Sequence, residues 1–122
     1  MTVRVAFRLQ IHPDRIEEYV ARHTPVRPEM LAEIAAAGRR NYSLFLDRTS
    51  ATLFGYYETD DDAAAQAYLA ASAVAAEWEA EMAPYFVALD GRPDQAATPL
   101  TEVFHLHDQL TASVTDHESD AP

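Results

Sequence analysis

The chain has no cysteine, three glycines and one tryptophan among its 122 residues. Without a thiol there can be no disulfide, no Cys-ligated zinc and no thiol nucleophile, and a reducing compartment is permitted. The few glycines are scattered, so no Walker loop, dinucleotide-binding glycine motif or G-x-S-x-G elbow can be drawn. Basic residues are scarce as well: nine face twenty acidic ones, for a formal net charge of −11. That field repels phosphate backbones and anionic bilayers, so neither nucleic acid nor a membrane is an expected partner. No stretch approaches the ~18 consecutive apolar residues of a membrane span. The opening MTVRVAFRLQIHPDR alternates apolar and polar residues, unlike the unbroken apolar run of a secretion signal. A soluble, cytoplasmic protein is the expectation.

Apolar residues make up 48% of the chain and charged residues 24%, the balance of an ordinary globular domain. The length suits one such domain. Val3, Val5, Phe7, Leu9 and Ile11 share one face of a half-buried strand, with Arg4, Arg8 and Gln10 on the other. His12-Pro13-Asp14 closes that strand and opens a helix bearing Ile16, Tyr19, Val20 and His23 on one face. Pro25 and Pro28 interrupt it, and a second piece over about 29–37 stops at Gly38. Residues 41–47 and 52–58 read as an antiparallel hairpin. Asp60-Asp61-Asp62 then opens a long alanine-rich helix to about Met82, and residues 100–107 supply a last strand.

The order β-α-β-β-α-β predicts a ferredoxin-like α+β domain over residues 1–108, one antiparallel sheet with helices on one face. A sheet of this kind needs cover on its other face, which a homodimer supplies. Residues 109–122 are polar and are expected to form a disordered tail.

Tyr19 and His23 are four apart on one helix, so their side chains stand together on the face that looks onto the sheet. Imidazole exchanges protons near neutral pH, which suits a buried histidine to acid–base work; a hydrogen-bonded core histidine is the ordinary alternative. At 100° per residue, Tyr68, Ala71, Ala75, Trp78 and Met82 gather on one face of the long helix, and Glu79 falls beside Tyr68 and Trp78. A carboxylate on a buried face must be paired, hydrogen-bonded or bound to something. Trp78 can stack on a sugar face or simply fill the core. Tyr42 offers a hydroxyl whose direction depends on strand register. His105 and His107 form an H-x-H pair, but no third metal ligand is evident.

The stretch P-x-x-x-x-E-Y-x-x-x-H-x-P-x-x-P-E from Pro13 to Glu29, together with GRRNYSLFLD, the Glu77-Trp78 region and TEVFHL, resembles the L-rhamnose mutarotases over about residues 3–106. The resemblance implies a homodimer of ferredoxin-like subunits, a dimeric α/β barrel, needing neither metal nor organic cofactor. Its implied activity is interconversion of the α and β anomers of L-rhamnose or a related 6-deoxyhexose by acid–base ring opening. It further implies that His23 is the catalytic proton donor and that Tyr19, Tyr42 and Trp78 contact the monosaccharide. Glu79 joins them as a sugar contact or as the base. Two positions depart from the family: Arg27 stands where a tryptophan is common, and the paired tryptophans of the second helix are Trp78-Glu79. These departures bear on which sugar is bound. A salt bridge between Arg27 and Glu79 is one way the two changes could compensate. Two other readings fit the fold: a non-catalytic sugar-binding dimer, and a cofactor-free monooxygenase acting on aromatic substrates.

Overall fold

Strand β1 (Val3–Gln10) lies in the interior of a four-stranded antiparallel sheet ordered β2-β3-β1-β4. The computed structural model describes residues 1–119. A 3-10 turn at Pro13–Arg15 leads into α1 (Ile16–Arg22), and α2 (Pro28–Ala36) follows after the proline-bearing break. Strands β2 (Arg40–Asp47) and β3 (Thr52–Thr59) form the expected hairpin, then come α3 (Asp62–Ala71) and α4 (Ala73–Met82). A short α5 (Pro93–Ala96), β4 (Thr98–Leu100) and α6 (Leu106–Ser119) complete the order. This is the ferredoxin-like α+β arrangement, with both edge strands reached by crossing over the helical layer.

Local chemistry accounts for the boundaries. Gly38, at φ +94°, stops α2 in a conformation that L side chains rarely adopt. Asp61 caps α3 by accepting from the Ala64 N–H at 3.0 Å. In the β2–β3 turn, the Asp47 carboxylate accepts from the Thr49 N–H at 3.0 Å. The alternation of β1 places Leu9 in the core, opposite Leu53 of β3, and Ile11 just beyond the strand is fully buried. Against them pack Ile16 and Tyr19 of α1, Met30 of α2 and Trp78 of α4.

Two expectations are corrected. The long helix is two helices, because Ser72 is extended (φ −79°, ψ 123°) and caps α4 by accepting from the Ala75 N–H at 3.1 Å. The break rotates α3 relative to α4. Leu69, not Tyr68, therefore faces the core, while Tyr68 is exposed and donates to Glu33 at 3.3 Å. The last strand is only Thr98–Leu100, with residues 101–105 irregular and α6 beginning at Leu106. His105 and His107 therefore do not share a strand face; His105 lies near Asp108, 3.5 Å away. α6 runs to Ser119, and residues 120–122 of the expected tail lie outside the described residues. Arg4 tethers the start of this segment through Glu102 at 2.8 Å and Asp108 at 2.6 Å.

Candidate active site

Between the sheet and the helices lies a cavity of about 930 Å³, within the ~300–1,000 Å³ usual for small-molecule sites. His23, Tyr19, Tyr42, Trp78 and Glu79 all line it. The fold brings these five candidates to one cavity, while His105 and His107 lie outside it.

His23 sits at the end of α1, where the helix stops before Pro25. Its imidazole stacks on the Tyr19 ring at 4.1 Å between centroids and meets the Trp78 ring edge-on at 5.3 Å. Nδ1 is 2.9 Å from the Tyr19 backbone carbonyl. A carbonyl can only accept, so Nδ1 carries the hydrogen and Nε2 is the nitrogen left for a ligand. Burial holds the His23 pKa below its ordinary value, only partly offset by the hydrogen bond to Tyr19. The resting ring is then neutral at pH 7, with a lone pair on Nε2.

Glu79 is 7% exposed. Burial first, and the nearby Asp94 carboxylate second, push its pKa up to about 7, against the opposing influence of Arg92, the Asp94 backbone N–H and Arg39. The carboxyl is thus held where both protonation states are populated near neutrality. Tyr19 and Tyr42 are both pushed up by burial, Tyr42 to about 12, so both phenols are protonated hydrogen-bond donors.

Arg27 does not pair with Glu79. It bridges Glu77 at 3.2 Å and Glu81 at 3.5 Å along the outer face of α4. Its guanidinium carbon lies 5.5 Å from the centre of the Trp78 ring, so it backs the tryptophan from outside the cavity wall. Arg22, the last residue of α1, also reaches α4, bridging Glu81 at 2.6 Å.

Sequence reasoning missed three cavity residues. Arg39, 7% exposed, stacks on the Tyr57 ring at 4.2 Å and stands 3.7 Å from Asp62. Tyr57 was legible in part, since it follows Leu53 and Gly55 on the inward positions of β3. Phe7 lies directly across Gly55, and its ring covers that glycine so closely that a Cβ there would fall 2.0 Å from it. The same ring stands edge-on to Tyr42 at 6.3 Å, and nothing local in the sequence signals this long-range fit.

The arrangement is a largely apolar, aromatic-walled cavity with two proton-exchanging groups of different character, a neutral imidazole and a half-titrated carboxyl. Among the described residues no cluster of three His, Cys, Asp or Glu could hold a metal ion. Fold and cavity together define a ferredoxin-like α+β protein with a site suited to acid–base chemistry on a small polar molecule.

The comparisons narrow that class. The family model for L-rhamnose mutarotase matches residues 4–106. The L-rhamnose mutarotase of Ligilactobacillus salivarius is 40% identical, covering 87% of this chain and 99% of that protein. The one from Oceanobacillus iheyensis is 36% identical, covering 84% and 97%. The crystal structure of L-rhamnose mutarotase from Formosa agariphila superposes with a TM-score of 0.69 at 28% identity, over 84% of this chain and 97% of that one. A candidate antibiotic biosynthesis monooxygenase from Bacteroides thetaiotaomicron shares the fold alone, with a TM-score of 0.53 at 16% identity, over 84% and 90% of the two chains. The chain belongs to the L-rhamnose mutarotase family, and its activity is that of an anomer-interconverting isomerase.

Proposed function

We propose that the protein interconverts the α and β anomers of L-rhamnose or a closely related hexose by acid–base ring opening in the cavity between sheet and helices. The observation that carries this is that His23 and Glu79 line the same cavity, the imidazole with its pKa held down by burial and the carboxyl with its pKa pushed up to about 7. Ring opening needs a base for the proton of the anomeric hydroxyl and an acid for the ring oxygen. Neutral His23 takes the first proton at Nε2. Protonated Glu79 gives its own to the ring oxygen as the C1–O5 bond breaks. The open aldehyde rotates about C1–C2, and closure on the other carbonyl face returns both protons. Each proton transfer of this kind contributes ~10²–10⁴-fold. The direction differs from the expectation that His23 is the initial donor and Glu79 the base. The reason is the Tyr19 carbonyl, which occupies the Nδ1 hydrogen, and burial, which disfavours the imidazolium.

Tyr19 and Tyr42 donate to sugar hydroxyls, and Trp78, 5% exposed in the wall beside His23, excludes water and packs on the ring C–H face. Polarimetry of a freshly dissolved single anomer tests the reading: enzyme should hasten the drift to equilibrium, and an unchanged drift contradicts it.

The working unit in this reading is a homodimer in the cytoplasm. Support comes from the uncovered face of the sheet, where Phe45, 63% exposed, lies across from Phe54, 38% exposed, and Leu100 lies across from Ala6. Apolar cross-strand pairs in water call for cover. The lack of cysteine fits a reducing compartment, and no helix among the described residues is long and apolar enough to cross a membrane.

A further inference from the structure

Arg39 is buried in the cavity wall without the partners a guanidinium needs. It follows Gly38, the stop of α2, and leads into β2. Its side chain is 4% exposed, and its Nε and Nη2 are buried with no hydrogen-bond partner. The flat face of the group stacks on the Tyr57 ring, 4.2 Å away. Its one ion-pair contact among the described residues is Asp62, where Nη2 stands 3.7 Å from Oδ1. That gap is too wide for a hydrogen bond. The same Oδ1 is engaged elsewhere, accepting from the Tyr57 hydroxyl at 2.5 Å. A buried guanidinium in this condition costs folding free energy, unless a ligand completes it.

Arg39 and Asp62 both line the cavity, as do Tyr57 and Tyr42, whose rings lie 5.3 Å apart. Asp62, the first residue of α3, is the accessible member, its side chain 36% exposed. A carboxylate only accepts and a guanidinium only donates, while a hydroxyl does both. Nε and Nη2 present two parallel N–H groups on one edge, the geometry that takes two oxygens side by side. One hydroxyl leaves one of them empty; hydroxyls on neighbouring carbons fill both, and the nearer one gives its hydrogen to Asp62. We propose that Arg39 and Asp62 form a subsite for a vicinal diol of the monosaccharide, away from the anomeric carbon. His23 and Glu79 serve the anomeric hydroxyl and the ring oxygen in the reading above. The pair in a pyranose is then C2–C3 or C3–C4, and the C3 hydroxyl belongs to it in either case. The methyl group of a 6-deoxyhexose plays no part in this contact. An anchor on C3 and its neighbour leaves C1 free to turn about C1–C2. It grips the closed and open forms alike, so it contributes to binding and not to the chemical step.

The inference rests on the mutarotase reading, and the test separates the two. Anomer exchange is measured by NMR for L-rhamnose and its 3-deoxy analogue, with wild-type protein, Arg39→Met and Asp62→Asn. Removing the C3 hydroxyl should cost the wild type roughly tenfold or more in kcat/KM. Arg39→Met should raise KM for L-rhamnose by about tenfold with kcat little changed, and bring the ratio between the two sugars close to one. Asp62→Asn should narrow the ratio in the same direction, and it carries the test alone if Arg39→Met does not fold. A role confined to packing on Tyr57 weakens both sugars alike and leaves the ratio at its wild-type value. That result, or a wild type indifferent to the C3 hydroxyl, overturns the subsite and leaves the mutarotase standing. No acceleration of any hexose by the wild type overturns both.

Discussion

The imidazole Nδ1 of His23 and the backbone carbonyl of Tyr19 lie 2.9 Å apart, so the tautomer of the proton-transferring ring is set by main chain and not by a side chain. The phenol of Tyr19 is then free for the sugar, while its ring supports the imidazole by stacking. Tyr19→Phe keeps both the carbonyl and the stack. It should lower kcat/KM by about tenfold, the scale of one lost hydrogen bond to substrate, and leave the pH profile unmoved. A shifted lower pH limb, read in anomer-exchange rates, would show that the phenol tunes the imidazole.

The rate should depend on pH with two limbs. His23 must be neutral to accept, so activity rises as pH climbs through a value below the ordinary imidazole range. Glu79 must be protonated to donate, so activity falls as pH passes about 7. Glu79→Gln should remove the upper limb and lower the maximum ~10²-fold or more. An upper limb that survives this change assigns it to another group.

The same carboxyl affects stability. Its folded pKa of about 7 lies above its ordinary 4.5. Its proton-linked contribution is therefore full below pH 4.5 and is lost as pH rises through 7. Glu79→Leu should leave stability near wild type at pH 5 and raise it by roughly 1–3 kcal/mol at pH 8. Thermal unfolding at the two pH values checks the sign; a variant less stable than wild type at pH 8 contradicts the account.

Gly55 is required by Phe7. An added Cβ would meet the Phe7 ring at 2.0 Å, and that ring packs edge-on against Tyr42 in the cavity wall. Gly55→Ala should cost about 1–3 kcal/mol and weaken sugar binding more than a surface change of equal cost, as followed by Trp78 fluorescence.

Phe45 and Phe54 are the most direct test of assembly. Phe45→Glu combined with Phe54→Glu should convert a dimer to a monomer by light scattering without unfolding the subunit. An unchanged dimer would move the interface elsewhere, and a wild-type monomer would remove it from the account.

Much of this was legible along the chain where the signal is local. Alternation in β1 put Leu9 and Ile11 inside, proline and glycine marked the ends of α1 and α2, and helical angle alone put Glu79 among buried residues. The break at Ser72 escaped because alanine flanks it on both sides, so periodicity continues through a residue that ends one helix and caps the next. Tyr68 was misplaced for that reason. Arg39 and the Phe7–Gly55 fit escaped because each depends on a partner in a distant strand or helix. The helical course of residues 106–119 runs against a polar composition, and its first turn is held by Arg4, more than 100 positions earlier.

The central claim is that His23 catalyses anomer exchange of a hexose. Saturation-difference NMR on the α and β H1 signals of L-rhamnose and L-mannose, with wild-type protein and with His23→Ala, measures this directly. The account predicts exchange faster than the uncatalysed rate with at least one of these sugars and return to that rate in the variant, with the fold intact by circular dichroism. Exchange at full wild-type rate in His23→Ala, or no acceleration of any sugar by the wild type, would contradict it.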